Sequence, residues 1–133
     1  MKPLEGKFVV CADPEANMGE VHRLLERWGS RTQTVKTIEQ LRKTLEVEPV
    51  DLIVAFVCRT SPTALEFFPP RERMEQLPPV VIVVCTLDVD LYLEAMRRGA
   101  FDCISLPLEE KEFARIVSRA LLEGPVRMAP AVA

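Results

Sequence analysis

Two long apolar runs dominate the hydrophobic pattern of the chain. The first, PVDLIVAFV at residues 49–57, carries one carboxylate at Asp51 before an unbroken apolar stretch, and the second is VVIVVC at residues 80–85. A parallel strand that helices cover on both sides has no solvent-facing row, so it loses the alternation of polar and apolar residues. Both runs therefore predict strands buried on both faces, and we place the first at the centre of the sheet.

Three further strands are predicted around these two. GKFVVCA, which begins at Gly6, is another buried strand, and FDCIS at residues 101–105 is a short one. RTQTVKT at residues 31–37 is β-branched and mostly polar, which is typical of a strand at the edge of a sheet.

End signals predict helices between these strands. Asp13 is expected to be an N-cap followed by proline at the first helical position, and Gly29 is expected to end that helix. Thr37 with Gln40 predicts a capping box for the next helix, and Asp88 is the expected cap of a later one.

Spacings of three and four residues predict which side of each helix faces the core. The expected inward residues are Met18, Val21, Leu25 and Trp28; Ile38, Leu41 and Leu45; Leu91, Tyr92, Ala95 and Met96; and Phe113, Ile116, Val117, Ala120 and Leu121 in a last helix at residues 108–122. Between residues 61 and 77, the pair Pro69-Pro70 predicts a short or kinked helix, because an interior proline removes a hydrogen bond.

The alternation of strands and helices predicts the fold. Right-handed crossovers place helices on both faces of a parallel five-stranded sheet. We therefore expect a doubly wound α/β fold, for which we take the strand order 2-1-3-4-5 of the flavodoxin-like class. Residues 1–124 are expected to form one domain, and residues 125–133 a flexible tail.

Composition excludes several functional classes. The 133 residues carry a net charge of −3, which argues against a nucleic-acid partner. The longest apolar run is far shorter than a membrane span, and the amino terminus does not resemble a signal peptide. We expect a cytoplasmic protein that binds no membrane.

The four cysteines favour reduced thiols over a structural site. Cys11, Cys58, Cys85 and Cys103 lack CxxC spacing and lie near the carboxyl ends of predicted strands. In the expected strand order, the first and fifth strands are about 14 Å apart, which excludes a single four-cysteine metal centre. A neighbouring pair such as Cys85 and Cys103 stays open, but buried unreactive thiols are the preferred interpretation.

Three stretches carry a resemblance to a known family. They are PVDLIVAF at residues 49–56, TALEFF at residues 63–68 and, most specifically, DVDLYLEAMRRGAFDCISLP at residues 88–107. The last resembles the segment E-A-M-[KR]-x-G-A-x-D-[YF]-x-x-K-P of CheY-like receiver domains of bacterial response regulators. The order of predicted elements extends the resemblance from about Lys7 to Leu122.

The resemblance implies a phosphorylation site whose residues are missing here. Receivers use an acid pair that holds Mg²⁺, an acceptor aspartate, a hydroxyl residue and a lysine around the transferring phosphoryl group. In this chain the acid pair matches Cys11 and Ala12, and the acceptor aspartate matches Phe56. The hydroxyl residue matches Val84 and the lysine matches Leu106. Receivers also have an aromatic switch residue on the fifth strand, and its position here is Cys103. A shift of one residue would restore Asp13 but not the acceptor, because residues 53–57 hold no side-chain oxygen.

We therefore interpret the chain as a degenerate receiver, or pseudo-receiver, that is not an enzyme and uses no metal or cofactor. Phe56 is expected to lie against Ala12, Val84 or Leu106 in an apolar plug. The resemblance also suggests a cis bond between Leu106 and Pro107, which the sequence alone leaves open.

A protein partner, or a second copy of the chain, is the expected target of such a two-component or phosphorelay module. The candidate interaction face comprises Met96, Arg97, Arg98, Cys103, Lys111, Arg115 and Arg119. Solvated surface charge is the competing interpretation of these basic residues.

A sensor of small molecules or of thiol redox state is the alternative function. An enzyme on this scaffold is disfavoured, since no glycine-rich phosphate loop and no paired nucleophile and base are evident.

Overall fold

The computed structural model describes residues 3–14, 16–57, 78–86 and 88–123. Within them, five parallel strands form one sheet in the order β2-β1-β3-β4-β5. This confirms the predicted flavodoxin-like topology, with the polar second strand at one edge. The strands are β1 Phe8–Ala12, β2 Arg31–Val35, β3 Leu52–Val57, β4 Val80–Val84 and β5 Asp102–Ser105.

In the described part of the chain, three helices connect strands and a fourth follows β5: α1 Gly19–Arg27, α2 Ile38–Val47, α3 Val89–Arg97 and α4 Glu110–Glu123. The short helix expected at residues 61–77 and the expected tail at residues 125–133 lie outside the described residues. No helix within the described ranges is long and apolar enough to cross a membrane.

The sheet has a separate core on each face. Successive residues of β1, β3 and β4 alternate between the two cores, as the pleat requires. The inner faces of α1 and α4 close one core, where the rings of Trp28 and Phe113 stack with centroids 5.8 Å apart. The other core contains Leu41 of α2 and Ala95 of α3. The helices therefore cover both faces of the sheet, which is the doubly wound arrangement.

The predicted end signals of α2 and α3 are present. Thr37 Oγ1 accepts a hydrogen bond from the Gln40 amide at 3.1 Å, and Asp88 Oδ1 accepts one from the Asp90 amide at 2.8 Å. Gly29 and Gly99 follow α1 and α3 with φ of 100° and 102°, in the left-handed region that favours glycine. The Leu106-Pro107 bond is cis.

Two sequence expectations about element starts are wrong. Helix α1 begins at Gly19, and its N-cap is Met18, so Asp13 does not cap a helix that starts at Pro14. The chain first forms a short loop, and the Asp13 carboxylate accepts hydrogen bonds from amides inside that loop.

Strand β3 begins at Leu52 and not at Pro49. Just before it, Asp51 bonds twice to Phe8, through its own amide and through its carboxylate.

Truncation of Phe113 tests the core between α1 and α4. Phe113 is fully buried, so Phe113→Ala is expected to lower the free energy of unfolding by about 3–5 kcal/mol, because it leaves a cavity against Trp28. Leu122→Ala on the same helix is the matched control, since Leu122 is 86% exposed and its loss should cost less than about 0.5 kcal/mol. Chemical denaturation followed by Trp28 fluorescence measures both. Equal losses in the two variants would contradict this core assignment.

Candidate functional site

The candidate site lies where the parallel strands end, because all their carboxyl ends meet at one edge of the sheet. Ala12 pairs with Ala55 across β1 and β3, and Phe56 pairs with Val83 across β3 and β4. Val84 in turn pairs with Ser105, the last residue of β5. The sequence-predicted positions Cys11, Ala12, Phe56, Val84 and Leu106 therefore all fall at or next to this edge.

The pleat divides these five positions between the two faces of the sheet. Cys11 and Phe56 belong to the core under α1 and α4, and the half-buried Leu106 packs against that core. Ala12 and Val84 belong to the opposite core. Phe56 and Leu106 are thus on one side of the sheet, whereas Ala12 and Val84 are on the other, so of the three expected neighbours of Phe56 only Leu106 shares its side. The function of this apolar edge as a former phosphorylation pocket stays a prediction.

Asp13 is a buried carboxylate at the same edge. It directly follows Ala12, the last residue of β1, and its amide donates a hydrogen bond to the Val35 carbonyl at the end of β2 at 2.9 Å. Its Oδ1 accepts a hydrogen bond from the Asn17 amide at 2.8 Å, and its Oδ2 accepts one from the Met18 amide at 2.9 Å. Both carboxylate oxygens therefore hold the loop that leads into α1.

The described cysteines differ in exposure. Cys11 is buried, and burial, reinforced by the charges of Asp13 and Glu26, raises the pKa of its thiol to about 12. Cys103 is half-buried, and burial followed by the charge of Asp102 raises the pKa of its thiol to about 11. Cys85 is exposed, which corrects the expectation that all the cysteines are buried. β4 ends at Val84, so Cys85 already lies in the loop beyond the sheet. Cys58 lies outside the described residues.

Metal ligands do not cluster in the described part of the chain. No group of three or more histidine, cysteine, aspartate or glutamate side chains is placed there to hold a metal ion. His22, the single histidine of the sequence, is instead a residue of α1, with Nδ1 3.3 Å from Thr34 Oγ1 of β2 and Nε2 3.3 Å from Glu26 Oε2.

The candidate interaction face surrounds β5, the edge strand opposite β2. Met96 and Cys103 are half-buried against the core on the α3 side, and the five basic residues of the face are exposed. Intrahelical ion pairs reduce the excess positive charge that the sequence pattern suggested. These pairs join Glu94 to both Arg97 and Arg98, Glu112 to Arg115, and Glu123 to Arg119.

Glu94 is central to the α3 side of this face. The hydrogen bond from Arg98 lowers the pKa of the Glu94 carboxyl, and the charges of Arg97 and Arg98 act in the same direction. Exposed pairs of this kind contribute little to stability. Both arginines at the carboxyl end of α3 thus share the single carboxylate of Glu94.

Two polar clefts lie away from the strand end. One, of about 420 Å³, separates α1 from the start of α4, where Arg27 pairs with Glu110. The other, of about 360 Å³, lies at the amino ends of the strands, where the Arg31 guanidinium stacks 4.0 Å from the centre of the Phe8 ring and pairs with Glu48. Both mix charges of opposite sign, so neither indicates a class of ligand.

Removal of the Asp13 carboxylate tests its role in the loop. Asp13→Ala leaves the Asn17 and Met18 amides without their acceptor, so the free energy of unfolding should fall by about 1–3 kcal/mol. Hydrogen exchange at these two amides should also become faster. Glu46→Ala, at an exposed carboxylate of α2, is the control and should change neither quantity. Unchanged exchange at Asn17 and Met18 would contradict this role.

Comparison of the fold with solved structures finds receiver domains. A response regulator from Thermotoga maritima superposes with a TM-score of 0.73 at 20% identity, over 87% of this chain and 98% of that one. A response regulator receiver protein from Burkholderia phymatum gives a TM-score of 0.72 at 22% identity, over 93% of this chain and 98% of that one.

A longer protein contains a similar fold. NtrX from Brucella abortus gives a TM-score of 0.74 at 19% identity over 87% of this chain, which spans only 26% of that chain. At the level of sequence, neither a model of a known protein family nor a curated protein matches. The comparisons therefore establish that the chain has the flavodoxin-like fold of receiver domains.

Proposed function

We propose that the chain is a receiver-like signalling module that does not accept a phosphoryl group and acts by contact with another protein in a two-component or related system. The observation that carries this proposal is the side-chain chemistry of β3. All six residues, Leu52–Val57, are buried and apolar. The position that matches the family's acceptor aspartate is Phe56, which has no atom that can accept a phosphoryl group.

The surroundings of Phe56 support the same conclusion. A phosphoryl group in transfer requires positive charge and hydrogen-bond donors around its oxygens. Phe56 instead shares its core with Val83 and Ile104 and has half-buried Leu106 packed against that core. An ionic group placed there would lose its hydration without gaining a partner, at a cost of several kcal/mol.

Asp13 is a poor substitute for the missing metal ligands. Mg²⁺ requires oxygen ligands in an octahedral arrangement and is usually held by one or two carboxylates together with substrate phosphates. Both oxygens of Asp13 already accept backbone hydrogen bonds. The neighbouring positions Cys11 and Ala12 offer a thiol that stays protonated and a methyl group.

Phosphorylation chemistry tests the proposal directly. Incubation with acetyl phosphate and Mg²⁺ should add no mass to the chain, because the Phe56 position has no acceptor oxygen. Beryllofluoride with Mg²⁺ should leave the amide NMR shifts at residues 11–18 and 104–106 unchanged, for want of a binding site. A phosphorylatable receiver in the same reaction is the positive control. A mass gain of one phosphate would overturn the proposal.

A sensor of small molecules or of redox state is the alternative function. The Cys11 and Cys103 thiols weigh against its redox form, whereas Cys85 is exposed. Thiolate is the reactive species, and the raised pKa values keep the Cys11 and Cys103 thiols protonated near neutral pH.

Oxidation at defined pH tests the redox alternative. Since the pKa of Cys103 is raised to about 11, oxidised glutathione should modify Cys103 very slowly at pH 7, and the rate should rise about tenfold per pH unit until the pH approaches 11. Peptide mapping measures the rate. Trp28 fluorescence of the wild type and of Cys103→Ser should respond equally to oxidant at pH 7. A reversible fluorescence change that Cys103→Ser abolishes would favour the redox sensor.

A further inference from the structure

Strand β2 leaves one of its two edges unpaired. It is first in the order of the sheet, so β1 is its single neighbour among the described strands. At the two ends of β2, Arg31 and Val35 make backbone hydrogen bonds of 2.8 and 2.9 Å to the residues that flank β1. Alternate residues of a parallel strand bond to the same neighbour, so Gln33 also faces β1. Thr32 and Thr34 therefore direct their amide and carbonyl groups away from the sheet.

This free edge is short, because the chain closes it at both ends. The Lys36 amide donates a hydrogen bond to Gln40 Oε1 at 2.7 Å, and the Ser30 amide donates one to the Leu25 carbonyl at 3.2 Å. The positions that can pair with a further strand are thus the two threonines, through two amides and two carbonyls.

The centre of β2 lacks the usual protection of an edge strand. Natural edge strands commonly carry charged side chains, proline or a bulge that prevents pairing with another chain. In β2 the charge of Arg31 lies at the first residue and is paired with Glu48. The central residues, Thr32 to Thr34, carry neither charge nor proline, and β-branched threonine favours strand pairing.

Helices α1 and α2 flank the free edge, one on each face of the sheet. His22 Nδ1 of α1 lies 3.3 Å from Thr34 Oγ1, and Gln33 Nε2 donates a hydrogen bond to Thr44 Oγ1 of α2 at 3.2 Å. Val47, three residues after Thr44, lies on the same side of α2 and is 75% exposed. An exposed apolar side chain therefore borders the free edge on the α2 face.

The space at this edge fits one extended strand. A strand pairs at about 4.8 Å from its neighbour, whereas a helix is about 10 Å across. Because α2 lies along β2, a second copy of the chain paired in the same way would press its own α2 against this one. A segment without flanking helices avoids that contact.

We infer that the free edge of β2 binds an extended segment of another protein, which adds a further strand to the sheet. The segment directs an apolar side chain toward Val47 and an acidic one toward Lys36, which is exposed at the end of β2. This inference deepens the proposed function and rests on it, because it names the class of partner. With only two residues of β2 to pair, an isolated strand binds weakly, with a dissociation constant of about 0.1–1 mM.

A synthetic strand tests the inference on the full chain. The probe is a capped peptide of about seven residues in which valine and threonine alternate between two terminal glutamates, so that one acid meets Lys36 in either direction of the strand. N-methyl groups block one edge of the peptide. In an NMR titration up to about 5 mM peptide, the amide shifts of Thr32 and Thr34 should saturate, and hydrogen exchange at both amides should become slower. The same peptide methylated along both edges is the control and should leave these shifts unchanged.

Removal of one outward donor tests the backbone pairing. Thr34→Pro deletes an amide hydrogen that faces away from β1, which an edge strand tolerates. It should raise the dissociation constant of the peptide at least about tenfold. Thr34→Val is the matched control, because it loses the hydroxyl group but keeps the amide, and it should change the constant less than about twofold. Circular dichroism establishes that each variant is folded.

Truncation of Val47 tests the apolar border of the edge. Val47→Ser removes the apolar contact without a change of charge and should raise the dissociation constant about three- to fivefold. Leu122→Ser is the control, since Leu122 is 86% exposed on α4, and it should leave the constant unchanged.

Three outcomes would overturn the inference: no saturation at Thr32 and Thr34 up to about 5 mM peptide, binding that survives methylation of both peptide edges, or equal effects of Thr34→Pro and Thr34→Val. Shifts of these two amides that depend on the concentration of the chain alone would also overturn it, because a second copy would then occupy the edge. A phosphate gain in the mass spectrum overturns the proposed function, whereas a chain that gains no phosphate and binds no strand overturns this inference alone.

Discussion

Burial of β3 and β4 on both faces of the sheet is the constraint on which the rest of the structure depends. Every side chain of these two strands is excluded from water, so each must pack against a helix on one side or the other. At about 25 cal/mol per Å² of apolar surface, this burial is a dominant stabilising contribution. It requires helices on both faces, and it leaves β1 and β5 to complete the cores and the polar β2 to take one edge.

The same burial determines the chemistry available at the strand ends. Parallel strands bring their carboxyl ends to one edge, where polar residues usually perform the function of such folds. Here β3 and β4 continue apolar to their last residues, Val57 and Val84. Asp13 is the exception, and its carboxylate stays buried because two backbone amides compensate for its lost hydration. The described ends of β3 and β4 therefore carry no ionisable or hydroxyl side chain at this edge.

Residue patterns predicted most of the scaffold. The apolar runs of β3 and β4, the Thr37 and Asp88 caps and the inward stripe of α4 are all local signals, because periodicity and capping act over a few residues. The start of α1 was mispredicted because Asp-Pro resembles a helix cap, whereas the Asp13 side chain bonds to amides four and five residues later. The exposure of Cys85 was also missed, because one residue decides whether a strand-end side chain lies in the sheet or beyond it.

The sequence by itself determined the doubly wound fold class and the absence of any side-chain oxygen in β3, because hydrophobic period and residue identity are properties of the chain alone. Only the tertiary structure decided which face of the sheet each strand-end residue occupies. It placed Phe56 and Leu106 on one face and Ala12 and Val84 on the other. It also showed that Val89 and Leu93 stay exposed, since the burial of a helix face depends on how much of it the sheet covers.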